Sequence, residues 1–399
     1  MEIKLYVKLD IHMINNMGAV KCFLILGLFK IITIAITLTI VPKRLHNAAP
    51  IPPMVEFTES LLSGSGQDLD LMTFRLTDQL SGRLMGVRAD ITPQVARMDA
   101  HSLNLSIPGR FCYAGTVLHT LPRGPLESRS PISVGVELFG ESSISADIEI
   151  IELFLNTLSV AEIGHVSLDL GHVDIVRGLI GEANLSVDLE AEIFDLLQRK
   201  ARTELAVWIS ENIENEQLSA WFNKLPQLTG GIEILETAKA ALDGAPEVVI
   251  NALNQLETTI HSLDTSHLNI HLDLSEMPGY HYHTGIVFAA YIQGYGKALG
   301  NGGRYDHVGE AFGRSRPATG FAFDLKTLVS QGSCSQSLSL GIFAPFCPDS
   351  SRREEIKSLR KQGFRVVEGF ENQVIDYEEL KCNRQLVKIG GKYIVEFLS

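Results

Sequence analysis

The sequence of 399 residues is poor in cysteine. Its five cysteines are scattered, their number is odd, and no two form a C-x-x-C pair. This pattern argues against a disulfide framework and against a thiolate zinc site, because both need paired or closely spaced cysteines. We therefore expect ordinary thiols in a reducing, cytoplasmic compartment and no bound metal. The cysteines are Cys22, Cys112, Cys334, Cys347 and Cys382.

Positive charge is also scarce. The chain has 34 lysines and arginines against 47 aspartates and glutamates, which gives a formal net charge of -13 at pH 7. Non-specific affinity for nucleic acid depends mainly on lysine and arginine side chains that neutralise phosphates. The composition therefore disfavours a tRNA or another polyanion as ligand.

One long apolar run stands out in a sequence that otherwise has a soluble pattern. Residues 23–41 read FLILGLFKIITIAITLTIV and approach the length that crosses a bilayer. An uncleaved anchor, a buried helix or strand, and a chain start that lies elsewhere are the alternatives, while residues 46–50 offer a poor signal-cleavage site. Because the chain after Pro52 has a soluble composition, we do not expect a membrane protein. Residues 1–51 form an atypical N-terminal segment.

The rest of the chain predicts an α+β fold, an antiparallel sheet flanked by helices. Helical spacing predicts helices that begin at Thr92-Pro93 and over residues 147–158. Taken alone, Gly302 and Gly303 would suggest a turn between strands, and residues 304–306 that follow them favour a functional motif instead. Alternating or continuous apolar runs predict a hairpin over residues 71–87 and strands over residues 110–118, 132–139, 166–170, 268–274, 282–292 and 320–323.

The chain length allows one large core and a small second domain, since single cores rarely exceed about 250–300 residues. Residues 52–330 are predicted to form the main domain. Within it, residues 173–263 change to long helical stretches with leucines on one face, which indicates a helical insertion. Residues 331–399 suffice for one small C-terminal lobe, which opens with a buried strand at residues 340–343.

Five sequence blocks resemble class II aminoacyl-tRNA synthetases of the histidyl type. Each block alone is weak evidence, but five in the right order over about residues 52–329 make a specific pattern. The resemblance implies an antiparallel sheet that cradles an amino acid, and a dimer. The blocks are residues 77–97 (TDQLSGRLMGVRADITPQVAR), residues 112–115 with 135–140 (CYAG and GVELFG), residues 280–288 (YHYHTGIVF), residues 302–306 (GGRYD) and residues 320–325 (GFAFDL).

The chain departs from the synthetases at the arginines that activate ATP. Formation of an adenylate needs cations around the triphosphate, and a guanidinium supplies planar, bidentate binding that other side chains do not. At the three positions where the resemblance implies an arginine, this sequence has His119, Pro278 and Thr327. We therefore expect no adenylate synthesis, no catalytic residues and no cofactor.

The amino-acid pocket is better preserved. Carboxylates suit an ammonium group and an aromatic ring suits an imidazole, so the resemblance implies histidine binding at five positions. Without the motifs, the carboxylates would be interpreted as caps or surface groups. Ser133 replaces a glutamine of the family, and the shorter side chain is expected to weaken the affinity for histidine. The five positions are Asp90, Thr92, Glu137, Tyr282 and Arg304.

His281 and His283 alternate along the chain in the manner of a metal pair, but a third ligand at suitable spacing is missing from the sequence. We therefore interpret His281 as structural and predict no metal site there.

Several segments are most similar to the regulatory subunits of ATP phosphoribosyltransferase. That resemblance implies a subunit without activity alone, which associates with a short-form catalytic subunit and confers feedback inhibition by histidine in the first step of histidine biosynthesis. Two alternatives remain open: an active histidyl-tRNA synthetase-like ligase, and a membrane-anchored or impaired paralogue. The segments are residues 78–83, 117–120, 280–285, 313–320 and the tail residues 382–387.

Overall fold

A computed structural model describes most of the chain after residue 51. The described residues are 47–48, 52–62, 66–122, 124, 128–266, 268–275, 282–332 and 340–398. The chain divides into two compact units, residues 1–333 and 334–399. The apolar run at residues 23–41 lies outside the described residues. Among the helices that are described, none combines the length and apolarity needed to span a membrane.

The first unit is built on a large sheet. Nine of the strands that the structure describes join it, in the order β1-β5-β6-β12-β11-β10-β7-β9-β8, and β2, β4 and β3 form a separate small sheet. The strands are β1 (Asn47–Ala48), β2 (Val55–Phe57), β3 (Phe74–Thr77), β4 (Leu84–Val87), β5 (Gly109–Thr116), β6 (Ile132–Phe139), β7 (Val166–His172), β8 (Thr229–Gly230), β9 (Asn269–Asp273), β10 (Ile286–Ile292), β11 (Tyr295–Arg304) and β12 (Ala318–Asp324).

Most of the helices cover one face of this sheet or fill the crossover between β7 and β9, while α3 packs on the opposite face. The crossover helices, α5 to α10, bury both tryptophans of the chain, Trp208 and Trp221. The helices of the first unit are α1 (Thr58–Leu62), α2 (Gly66–Met72), α3 (Thr92–Met98), α4 (Ile144–Val160), α5 (Val173–Ala183), α6 (Val187–Gln198), α7 (Arg202–Asn212), α8 (Glu216–Lys224), α9 (Ile234–Ala241), α10 (Glu247–Ser262) and α11 (Leu325–Gln331).

The large sheet is mixed rather than purely antiparallel. Its central strands pair antiparallel from β5 through β6, β12, β11 and β10 to β7. Two pairings, β1 with β5 and β7 with β9, are parallel. A parallel pair needs a long crossover connection, which for β7 and β9 is the helical run α5 to α10. The expectation of an antiparallel sheet is therefore wrong at these two pairings.

The two faces of the sheet have different chemistry because side chains alternate along a strand. On β6, Val134, Val136 and Leu138 point into the apolar core, while Glu137 points to the opposite face. In the core, the ring of Phe154 from α4 lies 4.6–5.4 Å from the rings of three phenylalanines. One face thus packs into the larger apolar core, and the other face carries a smaller apolar cluster together with the polar groups around Glu137.

The glycines of residues 300–303 lie inside strand β11 and not in a turn. A Cβ atom on Gly302 would be 2.3 Å from the carbonyl oxygen of Gly320 and 2.5 Å from the ring of Phe288. A Cβ atom on Gly303 would be 2.6 Å from the carbonyl oxygen of Ile286. Glycine is therefore required by the close approach of neighbouring strands, and the turn that this pair alone would suggest is not formed.

Over the described residues 340–398, the second unit is a small four-stranded sheet with one helix. Its strands are ordered β14-β13-β15-β16, with β16 antiparallel to β15 and the other pairs parallel. The side chain of Asp349 caps α12 by accepting a hydrogen bond from the backbone of Ser351. The elements are β13 (Gly341–Ala344), α12 (Ser350–Lys361), β14 (Val366–Glu368), β15 (Cys382–Ile389) and β16 (Lys392–Phe397).

Candidate functional site

The face of the large sheet that carries Glu137 holds a hydrogen-bonded chain of three side chains. The hydroxyl of Thr92, the first residue of α3, donates to Oε1 of Glu137 over 2.7 Å. The phenol of Tyr113 on β5 lies 3.2 Å from the same threonine oxygen. Because the single hydroxyl hydrogen of Thr92 is used on Glu137, Tyr113 is the donor in this contact. Thr92 and Glu137, two of the predicted site residues, are thus brought together.

Two buried polar atoms of the site have no hydrogen-bond partner among the described residues. They are Oε2 of Glu137 and the hydroxyl oxygen of Tyr282. Glu137 is 1% exposed. Buried polar atoms nearly always have partners, so two such atoms in one cluster indicate the place of a ligand. A Cβ atom at Gly320 would be 2.1 Å from Oε2 of Glu137, so a glycine is needed beneath it.

An aromatic wall stands beside the cluster. The ring of Tyr282 stacks on that of Tyr305, with centroids 5.0 Å apart and an interplanar angle of 29°. The ring of His283 meets Tyr282 edge-on at 5.3 Å. A flat wall of this kind suits a planar or cationic group.

Asp90 adds negative charge to the same site. Its Oδ1 accepts hydrogen bonds from the backbone nitrogens of Ile91 and Thr92, which holds the carboxylate at the start of α3. Burial raises the pKa of the Glu137 carboxyl well above its ordinary value. The hydrogen bond from Thr92 lowers that pKa, and the charge of Asp90 raises it further. Burial, Glu137 and Asp90 likewise raise the pKa of the Tyr282 phenol. A cation bound between these groups would relieve the repulsion and favour ionised Glu137.

The raised pKa of Glu137 predicts a pH-dependent difference in stability between the ligand-free wild type and the variant Glu137→Gln. Above the unfolded-state pKa of about 4.3, the folded protein binds more protons than the unfolded chain, so wild-type stability falls as pH rises toward the folded-state pKa. Glutamine does not titrate. The free energy of unfolding of Glu137→Gln minus that of the wild type should therefore grow as pH rises above about 4.3. Urea titrations between pH 4 and 9 measure this difference, and a constant value would contradict the prediction.

Arg304, the fifth predicted residue, is not brought into the cluster. All five of its N–H groups are used elsewhere: on both carboxylate oxygens of Asp147 at 2.8–3.1 Å, on Asp306 at 3.2 Å, and on the carbonyl oxygens of Glu141 and Ser143 at 3.2 and 3.3 Å. The guanidinium is 7% exposed. In this structure the guanidinium of Arg304 therefore forms an internal ion pair with Asp147, and its contact with histidine stays a prediction.

Two site residues were missed by reasoning from sequence. Tyr113 lies in the second family block and Tyr305 in the GGRYD block, but neither was assigned a role. The period of two along β5 and β6 offered a way to find Tyr113, because its register partner Gly135 lies on the same face as Glu137. Tyr305 follows the end of β11 and reaches the site through the loop geometry there, which sequence does not reveal.

Two of the three positions that lack the synthetase arginines are described by the structure, and both side chains make contacts inside the fold. The imidazole Nε2 of His119 lies 3.0 Å from the carbonyl oxygen of Ala89, and His119 is 2% exposed. The hydroxyl of Thr327 donates to Asp324 at 3.0 Å. Pro278 and His281 lie outside the described residues. In the part of the chain that the structure covers, no group of three or more His, Cys, Asp or Glu side chains could hold a metal ion.

Two family models match the chain, and together they cover both of its units. The model described as "Histidyl-tRNA synthetase" matches residues 50–328. The model described as "ATP phosphoribosyltransferase subunit HisZ C-terminal domain" matches residues 339–396.

Similar solved structures agree on the fold. A structure from Bacillus halodurans, titled an ATP phosphoribosyltransferase regulatory subunit/histidyl-tRNA synthetase, has a TM-score of 0.75 at 24% identity and covers 91% of this chain and 93% of its own. Histidyl-tRNA synthetase from Nostoc sp. PCC 7120 has a TM-score of 0.72 at 17% identity, with 94% of each chain covered. These likenesses confirm the predicted class II synthetase-like α+β fold.

Curated relatives are more similar in sequence. The ATP phosphoribosyltransferase regulatory subunit of Saccharophagus degradans is 50% identical over 349 residues, which cover 86% of this chain and 88% of the relative. The regulatory subunit of Thioalkalivibrio sulfidiphilus is 49% identical over 341 residues, which cover 85% of this chain and 86% of the relative. At this identity and coverage, the chain belongs to the family of ATP phosphoribosyltransferase regulatory subunits.

Proposed function

We propose that this chain is a cytoplasmic, non-catalytic subunit that binds histidine and regulates a short-form catalytic subunit, which makes phosphoribosyl-ATP from ATP and phosphoribosyl pyrophosphate. The observation that carries the effector site is the pair of buried atoms without described partners, Oε2 of Glu137 and the hydroxyl of Tyr282. In this proposal, residues 52–330 hold the effector site and residues 331–399 form a separate lobe. The proposed function involves no binding to nucleic acid or to a membrane.

The chemistry of the site suits histidine. The ammonium and the imidazole of histidine both donate hydrogen bonds, and the carboxylates of Glu137 and Asp90 accept them. The stacked rings of Tyr282 and Tyr305 offer a flat surface to the imidazole. The hydroxyl of Thr92 already occupies Oε1 of Glu137, which leaves Oε2 for the ligand.

An active synthetase is the less favoured hypothesis. Adenylate synthesis needs cationic side chains around the triphosphate. The chain has His119 and Thr327 at two of the family's arginine positions, and both side chains are committed to contacts inside the fold. No observation on the described residues favours ATP activation over the regulatory function.

A reconstituted assay tests the proposal. When the chain is mixed with a short-form catalytic subunit, we expect phosphoribosyl-ATP synthesis to rise at least about fivefold over the catalytic subunit alone, in the range typical of coupling between sites. Added histidine should suppress this gain, and the chain alone should show no histidine-dependent ATP–pyrophosphate exchange. A rate unaffected by mixing would refute the regulatory role, and measurable exchange would favour the synthetase.

Self-association as a dimer is also part of the proposal, and the small sheet β2-β4-β3 supports it. Its register places six apolar side chains on one face, none of them fully buried, and Leu76 is 39% exposed. An apolar face of this kind marks an interaction surface, and a two-fold axis would pair it with itself. The six side chains are Val55, Phe57, Phe74, Leu76, Met85 and Val87.

A charged substitution on this face should separate the dimer. We expect Leu76→Glu to sediment as a monomer at micromolar concentration, because association would bury an unpaired carboxylate. Val187→Glu is the matched control, since Val187 is 83% exposed at the start of α6 and away from the small sheet. Analytical ultracentrifugation distinguishes the two variants. A dimer that persists in Leu76→Glu would place the interface elsewhere.

A further inference from the structure

Helix α5 is attached to the segment that follows Tyr282. The guanidinium of Arg177 donates from Nη2 to the carbonyl oxygen of His283 over 2.9 Å. Its Nη1 donates to Oδ1 of Asp174, one turn earlier, over 3.0 Å. The backbone nitrogen of Val173 donates to the carbonyl oxygen of Gly285 over 3.1 Å. The first turns of α5 thus bind two carbonyl groups within three residues of Tyr282.

The start of α5 is itself fixed by a buried histidine. His172 caps the helix, with Nδ1 accepting from the backbone nitrogen of Asp174 at 3.2 Å. Its Nε2 lies 3.1 Å from Oε1 of Gln255 on α10. Burial lowers the pKa of His172, which favours the neutral ring in which Nδ1 accepts and Nε2 donates. Arg177 therefore lies on a helix whose first turn is fixed to α10 through the contact between His172 and Gln255.

The same segment is held from β11 as well. The backbone nitrogen of Thr284 donates to the carbonyl oxygen of Arg304 over 2.7 Å. The hydroxyl of Thr284 accepts from the backbone nitrogen of Asp306 over 2.9 Å. With Arg177 on His283, residues 283–285 are anchored to two elements, and these anchors set the backbone from which the Tyr282 ring projects to the site.

We propose that Arg177 is a positioning residue of the histidine site: its hydrogen bond to the His283 carbonyl fixes Tyr282 beside Glu137 and so sets the affinity for the ligand. Arg177 does not itself belong to the cluster that would touch the ligand. The part of this inference that concerns affinity rests on the proposed function, whereas the placement of Tyr282 does not. The placement of Tyr282 and the affinity for histidine are measured separately.

The placement of Tyr282 is tested without any ligand. In the full chain with 3-fluorotyrosine at position 282, Arg177→Met should shift or broaden the fluorine resonance, because the carbonyl anchor is lost while most of the aliphatic stem remains. Arg177→Lys restores a donor and should restore the resonance. Arg199→Met is the control, since Arg199 forms exposed ion pairs with Asp195 and Glu204. A resonance that Arg177→Met leaves unchanged would overturn the inference.

The effect on affinity is tested by calorimetric titration with histidine. Arg177→Met should raise Kd about tenfold, as expected for the loss of one hydrogen bond from a charged donor. In a Tyr282→Ala background the same change should raise Kd less than about threefold, because Arg177 acts through the Tyr282 side chain, which is then absent. Additive effects of the two substitutions would contradict the positioning role. If the wild-type chain binds no histidine, the proposed function fails, while the fluorine resonance still decides whether Arg177 positions Tyr282.

Discussion

Glu137→Gln is expected to weaken histidine binding at least about 100-fold. The carboxylate is buried, and in the proposed complex its Oε2 pairs with a cationic or hydrogen-bond-donating group of the ligand. Breaking such a buried pair costs about 3–5 kcal/mol, and each 1.4 kcal/mol is a factor of ten in Kd. The amide of glutamine keeps the volume of the side chain but removes the charge. Isothermal titration calorimetry with histidine measures the change.

A control variant and the expected stability of Glu137→Gln show whether a loss of histidine affinity is specific to this side chain. Glu141→Gln is a matched control, because Glu141 lies four residues further along the chain on an exposed loop, where its side chain accepts a hydrogen bond from Ser143. Its replacement should leave the histidine affinity unchanged. Glu137→Gln should also not destabilise the ligand-free protein above the unfolded-state pKa, since it removes a carboxyl whose ionisation burial disfavours. Wild-type affinity in folded Glu137→Gln would remove this pocket as the effector site.

Arg304→Met is expected to lower the free energy of unfolding by about 3–5 kcal/mol, because it leaves the buried carboxylate of Asp147 without its partner. The side chains of Arg304 and Asp147 are 7% and 3% exposed. Burial raises the pKa of Asp147, and Arg304 opposes that effect more than any other group, so loss of the arginine would leave the cost of burying this carboxylate largely uncompensated. Urea denaturation measures the loss, with exposed Arg199→Met as a control that should show little change.

Arg304→Met also separates two roles for this arginine. If Arg304 contacted histidine, as its sequence motif implied, the substitution would reduce affinity while stability stayed near that of the wild type. The geometry predicts the reverse: a clear loss of stability, and a histidine affinity close to wild type in whatever fraction stays folded. An unchanged free energy of unfolding would show that the ion pair with Asp147 contributes little.

The parts of the fold that follow from local pattern were predictable. Strand β6 was predicted over residues 132–139, the bounds that the structure gives. Its alternation of Val134 and Val136 with Gly135 and Glu137 also places Glu137 on the face opposite the valines, but the burial of Glu137 does not follow from that alternation. Such predictions succeed because the period of two is a property of the strand alone and does not depend on its partners.

The parts that depend on partners distant in sequence were not predictable. The GGRYD motif gives the position of Arg304 but does not reveal that its guanidinium meets Asp147, which lies 157 residues earlier. The glycines of β11 resemble a turn until the backbone of β12 is placed against them. Strand composition also carries no information about the direction of pairing, so the parallel partnership of β7 and β9 was missed.

That parallel partnership limits how the protein can be shortened. The chain leaves β7 at one end of the sheet and enters β9 at the other, so whatever joins them must travel back along the strands by roughly 17 Å, the length of about five extended residues. A deletion that fused β7 directly to β9 could only form a hairpin, which would reverse β9 and lead its chain out at the wrong end of the sheet. Whatever replaces the helices between these strands, a return path of a dozen or so residues has to remain.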